Sequence, residues 1–149
     1  MKEGEIYTFL LKKKVSLPDG SYYIIVDELG RQYLMNASYY DYNYSFVENT
    51  YIQCYIDKIN CSGKIFMEPM HPKYKPNDVD IFDIVEVETR KKKKTGDLFQ
   101  VVLAKNNYAP KAAIENLDEQ TIKKLINEKR VKAKVLRITK GELRLTIDF

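Results

Sequence analysis

IYTFLLKKKVSLPDGSYYIIVD, from Ile6 to Asp27, and IFDIVEVETRKKKKTGDLFQVVLA, from Ile81 to Ala104, follow one plan twice. Each opens on an apolar run, passes through a cluster of basic residues, turns, and resumes in β-branched and aromatic residues. Ile81, Phe82, Ile84 and Val85 take the places of Ile6, Tyr7, Phe9 and Leu10. Arg90-Lys91-Lys92-Lys93-Lys94 with Thr95-Gly96-Asp97 stands where Lys12-Lys13-Lys14 and Pro18-Asp19-Gly20 stood. Proline and glycine at those points are turn chemistry, so each stretch predicts a hairpin. A self-match at an offset of roughly 75 to 79 residues is the mark of a repeated structural unit.

The match extends outward from the hairpins. Arg31 to Asn36 (RQYLMN) predicts a third strand, and Ala37 to Asn49, with four tyrosines in six residues, an irregular stretch with a helical turn. Thr50 to Asn60 and Lys64 to Glu68 then predict a hairpin turning at Ser62-Gly63. In the second half a third short strand is expected near Asn107 to Ala109, and Leu117 to Arg130 reads as a helix. Asp118 can cap it, with Ile122, Leu125 and Ile126 on one face. Val131 to Ile138 and Glu142 to Ile147 repeat the last hairpin, Gly141 standing opposite Gly63. Three strands, a helical excursion and two more strands is the order of an OB fold, a small five-stranded Greek-key barrel. The expected architecture is all-β with one short helix, in two tandem OB-like barrels at residues 1–70 and 79–149. Residues 71–78 form a joint, because three prolines between Pro69 and Pro76 forbid regular ladders there.

The chain has 149 residues, 44% of them hydrophobic and 31% charged, a globular composition with room for one ordinary domain or two very small ones. Neither a secretory signal nor a membrane-spanning helix is expected, since no apolar run is long enough and the opening residues are charged. Cys54 and Cys61 are too few for a disulfide framework and match no paired zinc spacing, which favours a reducing, cytoplasmic setting. One histidine, His71, and six isolated glycines leave no imidazole pair and no phosphate loop. The expectation is a protein that is not an enzyme, with no metal and no cofactor.

Charge is distributed unevenly. Residues 1–77 carry nine basic and nine acidic side chains, whereas residues 78–149 carry sixteen and twelve, so the whole excess lies in the second half. From Asp78 to Glu88 there are five acids and no base, and from Thr89 onward sixteen bases face seven acids. Such a local basic surface suits a polyanionic partner.

In an OB fold the loop between the first two strands and the face of the second and third strands are the usual places of oligonucleotide contact. Lys12, Lys13 and Lys14 in one copy, and Arg90, Lys91, Lys92, Lys93 and Lys94 in the other, are placed in that loop as phosphate contacts. Each cation on a phosphate releases a condensed counterion. Tyr23, Tyr33 and Phe99, with Tyr22 and Tyr108 beside them, are candidates for base stacking, Tyr23 and Tyr33 being expected to face outward. The same rings could instead fill barrels that contain no tryptophan, the stronger reading for Phe99. Tyr39, Tyr40, Tyr42 and Tyr44 could plug a barrel end, pack against the second copy or meet a protein partner.

The segment Asn60 to Pro76 (NCSGKIFMEPMHPKYKP) resembles the junction in tandem OB-fold, ribosomal-S-one-like RNA-binding proteins of bacteria. In these a fifth strand ending in Glu-Pro runs through His-Pro into the next barrel. The resemblance implies RNA binding without catalysis. The glycine and aromatic sequence common in the first strands of such repeats is absent from GEIYTFLL and DVDIFDIV. The leading expectation is a module binding RNA or single-stranded DNA. The alternative is a protein-interaction adaptor, the amino-terminal part of a longer chain.

Overall fold

The computed structural model describes all residues from Met1 to Phe149 and is mostly β. The chain divides into two compact units, Met1–Pro72 and Lys73–Phe149. No helix is long and apolar enough to cross a membrane.

The first unit holds β1 (Ile6–Leu17), β2 (Gly20–Val26), β3 (Gln32–Asn36), a 3-10 turn (Ala37–Tyr40), β4 (Thr50–Ile59) and β5 (Ile65–Pro69). The strands lie in the order β3-β2-β1-β4-β5. β1 is long enough to pair with β4 through Ile6–Leu11 and with β2 through Leu10–Leu17. Between Leu11 and Lys13 the register shifts, leaving Lys12 as a bulge. A bulge bends its strand and reverses which residues face in. Phe9, Leu11, Ile25 and Cys54 form the buried core, and Tyr7, Tyr23, Tyr33, Phe46, Ile52 and Met67 pack on it.

In this unit β3 and β5 share no ladder, and side chains link them instead. Tyr40, on the turn after β3, is buried, and its Oη donates to Glu68 Oε1 on β5 at 3.0 Å. Around it Tyr44 and Phe46 stack edge-on or tilted, Tyr44 meeting His71 at 5.6 Å between ring centres. The tyrosine-rich stretch therefore forms an aromatic cluster inside its own unit. Tyr40 is withdrawn from any partner, while Tyr39, Tyr42 and Tyr44 are half-buried.

The second unit holds β6 (Val79–Lys91), β7 (Leu98–Asn106), β8 (Ala109–Ile114), α1 (Glu119–Glu128), β9 (Arg130–Thr139) and β10 (Glu142–Thr146). β6 also bulges, at Val85. Here the last strand runs parallel to β8 through Leu143↔Ala112, Arg144↔Ala113 and Leu145↔Ile114, and antiparallel to β9. Every strand thus has a neighbour on both sides. The third strand lies later than the segment expected from the sequence. Asn106 explains this, because its Oδ1 accepts the Tyr108 and Ala109 N–H groups and so turns residues 106–109 before β8 begins.

Asp118 caps α1 as its sequence suggests, accepting the Thr121 N–H at 2.7 Å. Ile122 and Leu125 enter a core that includes Phe82, Val102, Ile114, Val135 and Leu143, while Ile126 stays exposed. Tyr74, from the segment expected as a joint, is buried in this same core.

Candidate nucleic-acid interface

The first hairpin of each unit carries the basic residues, and the two hairpins are backed differently. In the first unit the β2 residues Tyr22–Val26 are flanked by β3, so only Ser16↔Ser21 and Leu17↔Gly20 extend past the third strand. In the second, β6 leaves β9 after Asp83 and β7 meets β8 only from Val102 onward. Glu88↔Val101, Thr89↔Gln100, Arg90↔Phe99 and Lys91↔Leu98 therefore form a two-stranded ribbon without a third strand.

Lys12, Lys13 and Lys14 are exposed, but they lie within β1 and not in a loop as the sequence suggested. The turn forms at Pro18-Asp19, where the sequence placed it, and β1 runs on through Val15 and Leu17 up to it, so the lysines precede the turn. Lys12 is the bulge, and Lys13 pairs across to Ile24 and Lys14 to Tyr23. In the second unit Arg90 and Lys91 end β6, while Lys92, Lys93 and Lys94 form the turn itself. Lys91 to Lys94 are exposed and make no ion pair. The Lys92 N–H donates to the Asp97 carbonyl and the Gly96 N–H to the Lys92 carbonyl, each at 2.8 Å, which shapes the turn. Gly96, at φ +74°, takes a left-handed position that favours glycine.

Arg90 is not a free cation. Its Nη1 and Nη2 donate to Glu142 Oε1 and Oε2 at 2.8 and 2.9 Å, and its Nε and Nη2 donate to Glu88 Oε2 at 3.0 and 2.9 Å. Arg144 bonds Glu115 and lies 3.2 Å from Glu142, so five charged side chains form one network. By strand register Glu88, Arg90, Val101, Ala113, Glu142 and Arg144 share one outer face, and Val101 and Ala113 on it have no exposed surface. Burial by itself would raise the Glu142 carboxyl. Hydrogen bonds from Arg90 and the charges of Arg144, Arg90 and Lys111 outweigh that and hold it below the ordinary range. A half-exposed forked pair of this kind contributes on the order of 1 kcal/mol after solvent screening. Arg90 is thus committed to two carboxylates, unlike the lysines that follow it.

Tyr23 and Tyr33 face inward, contrary to expectation. Tyr23 stacks edge-on against Phe46 at 5.2 Å, and Tyr33 against Phe9 at 6.0 Å. The Tyr33 hydroxyl is also taken, donating to Asp27 Oδ2 at 3.0 Å. Asp27 further accepts Leu29 N–H, Arg31 N–H and Arg31 Nε. Burial works against the Asp27 charge, but these bonds prevail and its pKa lies below the usual value. Side chains alternate with period 2, so the outward residues on these strands are Tyr22, Ile24 and Leu34. Leu34, with Tyr51 beyond Leu10, is exposed. Buried Ile25 sets that parity.

One feature recurs in both units. Lys14 Nζ lies 5.8 Å from the centre of the Tyr23 ring, and Lys92 Nζ 5.9 Å from that of Phe99. Both rings are half-buried. Sequence reasoning missed the others: Lys64 Nζ lies 5.1 Å from the Phe66 ring, and Lys73 Nζ lies 5.8 Å from Tyr74 and 3.8 Å over exposed Tyr108. A cation over an aromatic face is the geometry of cation–π attraction.

The remaining reactive groups are separated. Cys54 is buried and its thiol is pushed up to about 12 by burial and the Glu68 charge, whereas Cys61 is exposed in the β4–β5 turn. Burial lowers His71 to about 4. No group of three His, Cys, Asp or Glu side chains could hold a metal ion. Comparison with protein-family models, with curated proteins and with solved structures finds no match to this chain.

Proposed function

We propose that both units are OB-fold modules and that the chain binds single-stranded nucleic acid, RNA foremost, without catalysing a reaction. The strand orders support the fold, since each unit runs three strands, a helical element and two strands around a first strand that pairs on both sides. The observation that carries the function is the repeated lysine over a ring, Lys14 on Tyr23 and Lys92 on Phe99, at corresponding hairpins. The ammonium groups meet phosphates, and Lys91 to Lys94, having no acidic partner, need break no ion pair to do so. The resemblance of Asn60 to Pro76 to ribosomal-S-one-like RNA-binding proteins supports the same reading.

Fluorescence anisotropy of labelled single-stranded RNA and DNA at several salt concentrations tests this. Binding should weaken steeply with salt, and replacing Lys91 to Lys94 with alanine should reduce the log–log slope by about three for a single strand. An unchanged slope removes the hairpin from the interface.

A second reading, a protein-docking module, draws on the outer sheet face of the first unit. Leu34 and Tyr51 there are 55% and 75% exposed, with half-buried Leu10 and Ile24 on the same face. No oligonucleotide binding at low salt would select it.

A further inference from the structure

We infer that Arg90 and Glu142 are positioning residues that brace the lysine hairpin of the second unit so that Lys91 to Lys94 are presented to phosphate. This rests on the nucleic-acid reading above and assigns Arg90 a role other than touching the ligand. The argument begins with the ribbon. Its four residue pairs, from Glu88↔Val101 to Lys91↔Leu98, have no third strand beside them. A two-stranded hairpin in water is marginal by itself, so its outer end would fray and its lysines would sample many orientations. Repulsion among four adjacent ammonium groups adds to that tendency.

Arg90 sits one residue pair from the end of the ribbon, the point where an anchor has most leverage. Its guanidinium reaches Glu142, 52 residues away in sequence, with two parallel hydrogen bonds of 2.8 and 2.9 Å. Glu142 opens β10, pairing with Thr139 and preceding Leu143, which is held on both sides, and so it is a firm post. The forked geometry fixes direction as well as distance, which a lysine at position 90 could not do. In the first unit β3 backs Lys13 and Lys14 through Ile24↔Leu34 and Tyr23↔Met35, and the Lys14 N–H donates to Glu48 at 3.3 Å, so no arginine fork is needed. Where a third strand is missing, an ion pair takes its place. Holding the cations in one arrangement before binding lowers the ordering cost that association must meet.

The test uses the whole chain with Glu142→Gln, Arg90→Gln and the four-lysine alanine variant, read by amide hydrogen exchange without ligand and by anisotropy with a labelled single-stranded RNA. Exchange should speed up at least about tenfold at residues 88–91 and 98–101 in both single variants, with core amides of Phe82, Val102 and Leu143 unchanged. RNA affinity should fall several-fold while the salt slope stays at the wild-type value, because a positioning residue neutralises no phosphate. A slope reduced by about 0.7 in Arg90→Gln would instead make Arg90 a direct phosphate contact and overturn the inference. Unchanged exchange, or unchanged affinity alongside a four-lysine variant that does lose affinity, overturns it equally. If the four-lysine variant binds as wild type, the phosphate reading itself fails and the presenting role falls with it. The exchange data then decide whether the brace exists as a purely structural device.

Discussion

In the second unit β8 and β10 join through main-chain bonds, whereas in the first the corresponding strands β3 and β5 are linked by a phenol bonded to a carboxylate within a group of stacked rings. The hairpins differ in the same spirit. The first unit backs its lysines with a third strand, and the second lets them project on a ribbon held by an arginine–glutamate fork. One strand order can therefore be stabilised by main chain or by side chains at equivalent places, and the polar groups in each unit go where its ladders are lacking. Polar side chains buried in the first unit, Glu68 and His71 among them, stand close to the aromatic cluster, while the core of the second is apolar around small alanines.

Three changes would break or sharpen that contrast. The largest effect is expected from Leu143→Ala, which empties a fully buried site on the strand that closes the second ring. It should cost about 3 kcal/mol, read as a lower urea midpoint with loss of exchange protection at Phe82 and Val102. An effect below about 1 kcal/mol would mean that β8 and β10 do not depend on core packing to stay together. Next comes Tyr40→Phe, which deletes a single oxygen but leaves the buried Glu68 carboxylate without that donor. A loss of about 2 kcal/mol is expected, concentrated in the first unit. A neutral result would show that the rings alone bridge β3 and β5.

The smallest is acid sensitivity. His71 is the only histidine, and its folded pKa of about 4 lies below its ordinary 6.5. Between those two values the unfolded chain binds more protons, so stability is complete above about pH 6.5 and declines as pH falls toward 4. His71→Gln should flatten that part of the profile. The Glu142 brace behaves differently, for its lowered pKa keeps its contribution intact until pH drops below the normal glutamate range near 4.3. Exchange at Phe9 and Ile25 should therefore rise at milder acidity than exchange on the ribbon.

Much of this was readable from local pattern. The doubled hairpin, the cap at Asp118 and the buried face of α1 at Ile122 and Leu125 follow from turn chemistry and periodicity, which depend on near neighbours. Facing was misread at Tyr23 and Tyr33, since Tyr22 to Val26 is aromatic or apolar at every position and so marks neither face of β2. Lys12 to Lys14 were placed in a loop, as a lysine run resembles one unless the flanking Val15 and Leu17 are weighed. Arg90 read as one more cation because its partner Glu142 lies on a distant strand. Proximity of that kind arises only once β10 has found β8.

The placement of the two thiols gives the molecule a built-in reporter. Cys54 is enclosed and held in its unreactive protonated form, while Cys61 stands exposed at the tip of the β4–β5 turn. A maleimide dye at neutral pH will thus attach at one position in the native chain, and it does so on the unit that lacks the lysine ribbon. Native protein can be followed by fluorescence during titration with RNA with no engineered cysteine, and the appearance of a second labelled site would time the opening of the first core.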